Sequence, residues 1–153
     1  MPILETFLPH GRLRDGDLRL RILSTSPPDP VKNYVATYHF GMFLEGRRSG
    51  VGGIELRLGD HQHLIRFGGQ IGYAVHPDHR GQGLAARSLR LLFPLARRHG
   101  FAELWITCDP DNFASRRTCE RAGAVLQEIV DLPETHEMYA RGSRQKCRYR
   151  ILL

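Results

Sequence analysis

Ile71-Gly72-Tyr73-Ala74-Val75-His76-Pro77-Asp78-His79-Arg80-Gly81-Gln82-Gly83-Leu84-Ala85 is the stretch that decides how the rest of the chain is read. It runs as a short apolar strand, then a glycine-broken turn, then the start of a helical pattern. Gly81 and Gly83 let the backbone approach a ligand closely and turn its N–H groups inward. The start of the helix adds unpaired N–H groups and the positive end of a dipole. A turn of this kind suits a phosphate.

Working outward, 153 residues with 41% hydrophobic content make one domain with a single core. Arg87, Arg90, Arg97 and Arg98 interrupt the most apolar region, so no run is expected to span a membrane. The N-terminus lacks a basic segment followed by an apolar one, and a cytoplasmic location is expected. Cys108, Cys119 and Cys147 are odd in number and lack the short paired spacing of a zinc site, so reduced thiols are expected. The net charge of +6 would attract an anionic partner. Only Lys32 and Lys146 among the basic residues are lysine, a bias that base composition explains as readily as nucleic-acid binding does.

In chain order, Leu18, Leu20 and Ile22 alternate with arginines, predicting a strand at 17–24 within an atypical N-terminal arm, residues 1–33. Ser24 to Pro30 is proline-rich and reads as a loop. Strands are predicted at 34–44, 51–58 and 69–76, joined by short turns into an antiparallel meander. After the glycine turn Leu84, Ser88, Leu91, Leu92 and Leu95 mark an amphipathic helix to about His99. Pro94 should kink it or end its first segment near Leu91. A strand at 103–108 completes a strand-helix-strand parallel crossover. Asp109 to Asn112 caps a short helix ending at 122–123. A closing hairpin pairs 124–131 with 145–153 through a loop at 133–143. In its last strand Cys147, Tyr149, Ile151 and Leu153 face one way, and Lys146, Arg148 and Arg150 the other.

Arg80-Gly81-Gln82-Gly83-Leu84-Ala85 resembles the phosphate-binding signature of the GNAT superfamily of acyl-CoA-dependent N-acetyltransferases. Asn112-Phe113-Ala114-Ser115 through Glu120-Arg121-Ala122-Gly123 follows at that family's spacing, and the closing Arg148-Tyr149-Arg150 strand is similar to a group of bacterial acetyltransferases with undefined substrates. The resemblance covers residues 34–153. It implies an α/β (α+β) fold: a mixed, mostly antiparallel sheet with a central parallel βαβ crossover and reduced N-terminal helices, with residues 71–124 as the acetyl-CoA-binding core. It further implies that acetyl-CoA, as co-substrate and without a metal, lies between two splayed strands. Its diphosphate would sit on the N–H groups of Gly81, Gln82, Gly83, Leu84, Ala85 and Ala86 beside Arg80. Its pantetheine arm would pair with the backbone of Tyr73, Ala74 and Val75, and Asn112 and Ser115 would touch the arm. Arg87, Arg116 and Arg117 are further candidates for coenzyme A phosphates.

Acetyl transfer requires an amine to lose a proton, attack the thioester carbonyl and expel a thiolate. The resemblance places an acidic base at Thr107 and a tyrosine acid at Cys119, and neither residue performs those roles as written. Glu55, a carboxylate on the polar side of an apolar strand, is the candidate base; an ion pair with Arg57 or Arg66 is its structural alternative. Cys119 is the candidate acid, with a buried packing role as its alternative. His76 and His39 are weaker candidate bases. Asp60, His61 and His63 read as a polar turn rather than a metal site.

The expected activity is acetyl transfer from acetyl-CoA to a primary amine, by direct attack in a ternary complex. The amine belongs to a small molecule or a protein, and a homodimer is possible because the face usually covered by N-terminal helices needs a cover. The competing readings are a non-catalytic acyl-CoA-binding regulatory module and a basic nucleic-acid- or ribosome-associated protein.

Overall fold

Alternation of apolar and polar residues from Leu13 to Val75 builds one sheet in the computed structural model, which describes residues 2–153. Its strands are β1 (Leu13–Asp15), β2 (Leu18–Ser26), β3 (Thr37–Leu44), β4 (Gly52–Arg57) and β5 (Ile71–Val75), antiparallel in the order β1-β2-β3-β4-β5. A second sheet has the order β6-β8-β7, from β6 (Glu103–Cys108), β7 (Val125–Asp131) and β8 (Gln145–Leu152). Among the described residues three α-helices complete the fold, α1 (Leu84–Arg98), α2 (Phe113–Arg121) and the short α3 (Glu137–Ala140), with a 3-10 turn at Pro77–His79. The result is the expected mixture of antiparallel sheet and few helices. Among the described residues no helix is long and apolar enough to cross a membrane.

The crossover through α1 joins strands of different sheets. β5 and β6 share no ladder; they touch through the Gly69–Ile106 bridge and through Gln70, whose N–H donates to the Trp105 carbonyl at 2.8 Å. Beyond that point the strands part. The junction is held by one buried glutamine, since the Gln70 amide also bonds the Gly59 carbonyl and the Trp105 N–H.

The core lies under α1. Tyr38, Phe40 and Met42 of β3 and Ile54 and Leu56 of β4 are buried with Leu84, Leu89, Leu92 and Leu95. Each such side chain contributes about 1.5–3 kcal/mol on burial. Leu89 replaces the expected Leu91 on this face; Leu91 is only partly buried. α1 runs unbroken through Pro94, contrary to the break expected near Leu91. Pro94 and Arg90 are both on the exposed face, so the Arg90 carbonyl that loses a partner to proline can be hydrated.

Two further differences shape the site. β2 extends to Ser26, past the predicted end at residue 24, because a bulge between Ile22 and Ser24 lets it keep pairing with β3. A single π-turn, Leu64–Gly68, precedes β5 where a loop opening at residues 59–63 was expected. It is held by arginines: Arg57 donates to the Gly68 and Gly69 carbonyls, and Arg148 to that of Ile65. In β8 the alternation holds, yet Lys146 and Arg148 are also buried, paired with Asp109 and Glu128, and Arg148 stacks over Trp105.

Candidate active site

The glycine turn and the strand before it supply one wall. Gly81 and Gly83 both have φ in the left-handed region, at 81° and 73°, and no side chain caps α1. The first backbone bond of the helix is from the Arg87 N–H to the Gly83 carbonyl, so the N–H groups of Leu84, Ala85 and Ala86 have no partner within the helix. A Cβ added to Gly81 would meet no protein atom within 4 Å. Leu84, Ala85 and Ala86 are buried as part of the core. Gln82 is exposed beside them, and Arg80 folds back, its Nε donating to the Val75 carbonyl at 3.0 Å.

The ladder settles which peptide groups of β5 are free. The His76 N–H donates to Val51 and the Arg57 N–H to Gln70, so the even-numbered residues of β5 bond to β4. Tyr73 and Val75 therefore turn their peptide groups into the gap. Ala74 does not: its peptide faces Gly53 of β4, which removes it from the expected set of backbone contacts.

Across the gap Asn112 caps α2, its Oδ1 accepting from the Ser115 N–H at 3.1 Å. Ser115 is buried, and its Oγ shares a 2.7 Å hydrogen bond with the Tyr73 hydroxyl. Asn112 and Ser115 thus first serve to fix α2 and Tyr73 at the edge of the gap. Cys119 is fully buried, 3.6 Å from the same hydroxyl, and burial pushes its thiol up to about 12. Since an ordinary thiol titrates near 8.5, proton transfer from Cys119 to a leaving thiolate is uphill. The expected acid role is corrected to packing. Arg87 is committed to Asp15 and Asp17, and Arg116 to Tyr149 and the Pro110 carbonyl, which withdraws both from the phosphate candidates.

The opposite face of the sheet carries a cavity of about 620 Å³. Its floor is Thr37, His39, Glu55 and Arg57; its walls are the proline-rich segment, the turn around His61 and Leu64, and the chain around α3. The Tyr34 hydroxyl donates to Glu137 at 3.0 Å and joins two of these walls. These segments, rather than N-terminal helices, cover the face. Glu55 does reach the cavity, and its alternative is also realised: Oε2 pairs with Arg57 at 3.2 Å. Gly72 sits opposite Glu55, and any Cβ there would come within 2.7 Å of the Arg57 guanidinium. His39, a weaker candidate base from the sequence, stands beside Glu55 in the structure, because the two are paired across β3 and β4 on the same face. His76 is exposed at the glycine turn, away from the cavity lining. Among the described residues no group of three His, Cys, Asp or Glu side chains is placed to hold a metal ion.

A family model described as an acetyltransferase (GNAT) domain matches residues 9–125. No curated protein matches in sequence. Among solved structures, a Vibrio cholerae protein assigned as a ribosomal-protein-serine acetyltransferase is similar, with 17% identity and a TM-score of 0.68 over 96% of this chain and all of that one. RimL, a ribosomal L7/L12 alpha-N-protein acetyltransferase solved with coenzyme A, has 15% identity and a TM-score of 0.66 over 93% of this chain and 98% of its own. The microcin C7 self-immunity acetyltransferase MccE, solved with acetyl-CoA and AMP, has 18% identity and a TM-score of 0.59 over 76% of this chain and 61% of its own. Identities this low carry the fold, whereas the domain match spans most of the chain: it belongs to the GNAT acetyltransferase family and is an acyl-CoA-dependent N-acetyltransferase.

Proposed function

We propose that the enzyme transfers the acetyl group of acetyl-CoA directly to a primary amine held in the cavity over Glu55 and His39. The observation that carries this reading is the gap between β5 and β6. It has unpartnered N–H groups at the glycine turn on one side and the cavity on the opposite face of the sheet. In this reading the diphosphate rests on residues 81–86, and the arm bonds to the free peptide groups of Tyr73 and the N–H of Val75 as an added strand would, the Val75 carbonyl being held by Arg80.

Direct attack is favoured because the chain has no accessible thiol for an acyl-enzyme. All three cysteines are buried, and burial pushes Cys108 up to about 11. A thiolate titrating near 8.5 leaves without a protein acid. The amine must shed a proton, and the Glu55 carboxylate is the base at the cavity floor. The relatives with ribosomal-protein acceptors are consistent with a backbone or side-chain amine entering a cavity of this size. Calorimetric titration with acetyl-CoA tests the donor site, and thiol release with a panel of small amines and N-terminal peptides tests the transfer. Absence of any acetyl-CoA binding sinks the reading.

A further inference from the structure

We infer that His39 is the proton partner of Glu55, a proton taken up by the carboxylate passing to Nδ1 of the ring while Nε2 is held by the Ser26 hydroxyl. The inference rests on the cavity being the acceptor site. Arg57 is anchored by the Gly68 and Gly69 carbonyls at 3.1 and 3.0 Å and holds Oε2 of Glu55. Oε1 is left facing Nδ1 of His39 at 3.7 Å. The far nitrogen, Nε2, lies 2.6 Å from the Ser26 hydroxyl oxygen.

The separation of 3.7 Å is informative. It is too long for a hydrogen bond, so no proton is held between the two side chains as they stand. A ring that carries its proton on Nε2 and donates it to Ser26 turns a lone pair toward a carboxylate oxygen. One added proton lets the pair close.

Ser26 reaches this face only because of the bulge in β2. Before it, Ile22 pairs with Phe40, a register in which residue 25 would share the face of Thr37 and His39. After it, Ser24 pairs with His39 and Ser26 with Thr37. A single inserted residue therefore flips the end of the strand and brings a hydroxyl to the imidazole.

The proton balance follows. An acceptor arriving as an ammonium ion gives one proton to Glu55 Oε1, which passes it to Nδ1. The imidazolium then gives the Nδ1 proton to solvent through the cavity, which restores the ring with its proton on Nε2 and a free Nδ1 facing Glu55. The freed amine pair forms the C–N bond, the C–S bond breaks with its electrons on sulfur, and the nitrogen's surplus proton goes to the thiolate. Around His39 the charged neighbours on its own sheet are Glu55 and Arg57. Those across the cavity are Lys32, His61, His63, His136, Glu137 and Arg141.

Ring 15N shifts of the full-length protein test this without any acceptor. The expected result is an Nε2–H tautomer for His39 at neutral pH and an Nδ1 resonance that moves in Glu55→Gln, whose amide can donate to it. An Nδ1–H tautomer, or an Nδ1 resonance unmoved by Glu55→Gln, overturns the inference and leaves acetyl transfer standing. Activity gives the second readout. With an amine that the wild type acetylates, His39→Gln should lower kcat about 100-fold, keep KM for acetyl-CoA, and remove one ionisation from the pH profile. Unchanged kcat in His39→Gln also overturns it. A wild type that binds no acetyl-CoA overturns the acetyl-transfer reading instead.

Discussion

The Tyr38 hydroxyl lies 2.7 Å from Nε2 of His99, joining the start of β3 to the end of α1. Nδ1 of the same ring lies 2.6 Å from the Leu4 carbonyl, which can only accept, so Nδ1 carries the ring proton. The Leu8 N–H donates to Tyr38 at 2.7 Å. The N-terminal arm is thus tied to the core through one neutral histidine. Burial, the dominant cause, holds His99 below its ordinary value of 6.5. The unfolded chain therefore takes up the proton first. Stability is full above about pH 6.5 and is lost as pH falls below it. His99→Gln should flatten that acid limb in urea melts between about pH 4 and 7. An unaltered limb would rule out His99 as its source.

Gly81→Ala tests the diphosphate site. The substituted methyl meets no protein atom, so the cost to the fold is the strain of a left-handed φ, about 1–2 kcal/mol. The same methyl would lie where the ligand must approach the turn. Acetyl-CoA affinity should fall more than about tenfold while Tm drops by roughly 2–8 °C. Wild-type affinity in calorimetry would place the diphosphate elsewhere.

Ser88 offers an opposite sign. It is fully buried in α1, and its hydroxyl has no hydrogen-bond partner. Alanine removes an unsatisfied group and has the higher helix propensity, so Ser88→Ala should stabilise by about 0.5–1.5 kcal/mol. The urea midpoint reports it. A loss of stability would mean that the hydroxyl is satisfied in solution.

Elements with strong period-two or helical patterning were legible in the sequence: β3 to β6, α1 and α2 lie within a few residues of their expected bounds. The glycine turn was legible because its chemistry is carried by residues adjacent in the chain. The Ser26–His39–Glu55 series was not. It joins three strands, and its assembly depends on a bulge that no local pattern marks. Ala74 was misread for a related reason, since side-chain alternation does not say which peptide groups the neighbouring strand has already used. Pro94 was overweighted because the propensity argument ignores that its lost carbonyl partner lies on a hydrated face.

Lys146 and Asp109 show how the far sheet supports the gap. Nζ of Lys146, nearly excluded from solvent, lies 2.6 Å from Oδ1 of Asp109, and the Ser143 hydroxyl donates to the same oxygen. Burial alone would raise the carboxyl, yet the bonds from Lys146 and Ser143 outweigh it and hold Asp109 below the usual 3.8. That stabilisation is present above about pH 4 and is lost as pH falls through the lowered value. Lys146→Met leaves a carboxylate that is still partly exposed, so the expected cost is about 1–2 kcal/mol at pH 7 rather than that of a sealed pair. The penalty should shrink toward zero in acid. Asp109 sits three residues before the Asn112 cap, its carbonyl accepting the Asn112 N–H at 3.0 Å. Loosening it should therefore raise KM for acetyl-CoA as well. A Lys146→Met protein that is destabilised yet has an unchanged KM would show that α2 holds its edge of the gap without help from β8.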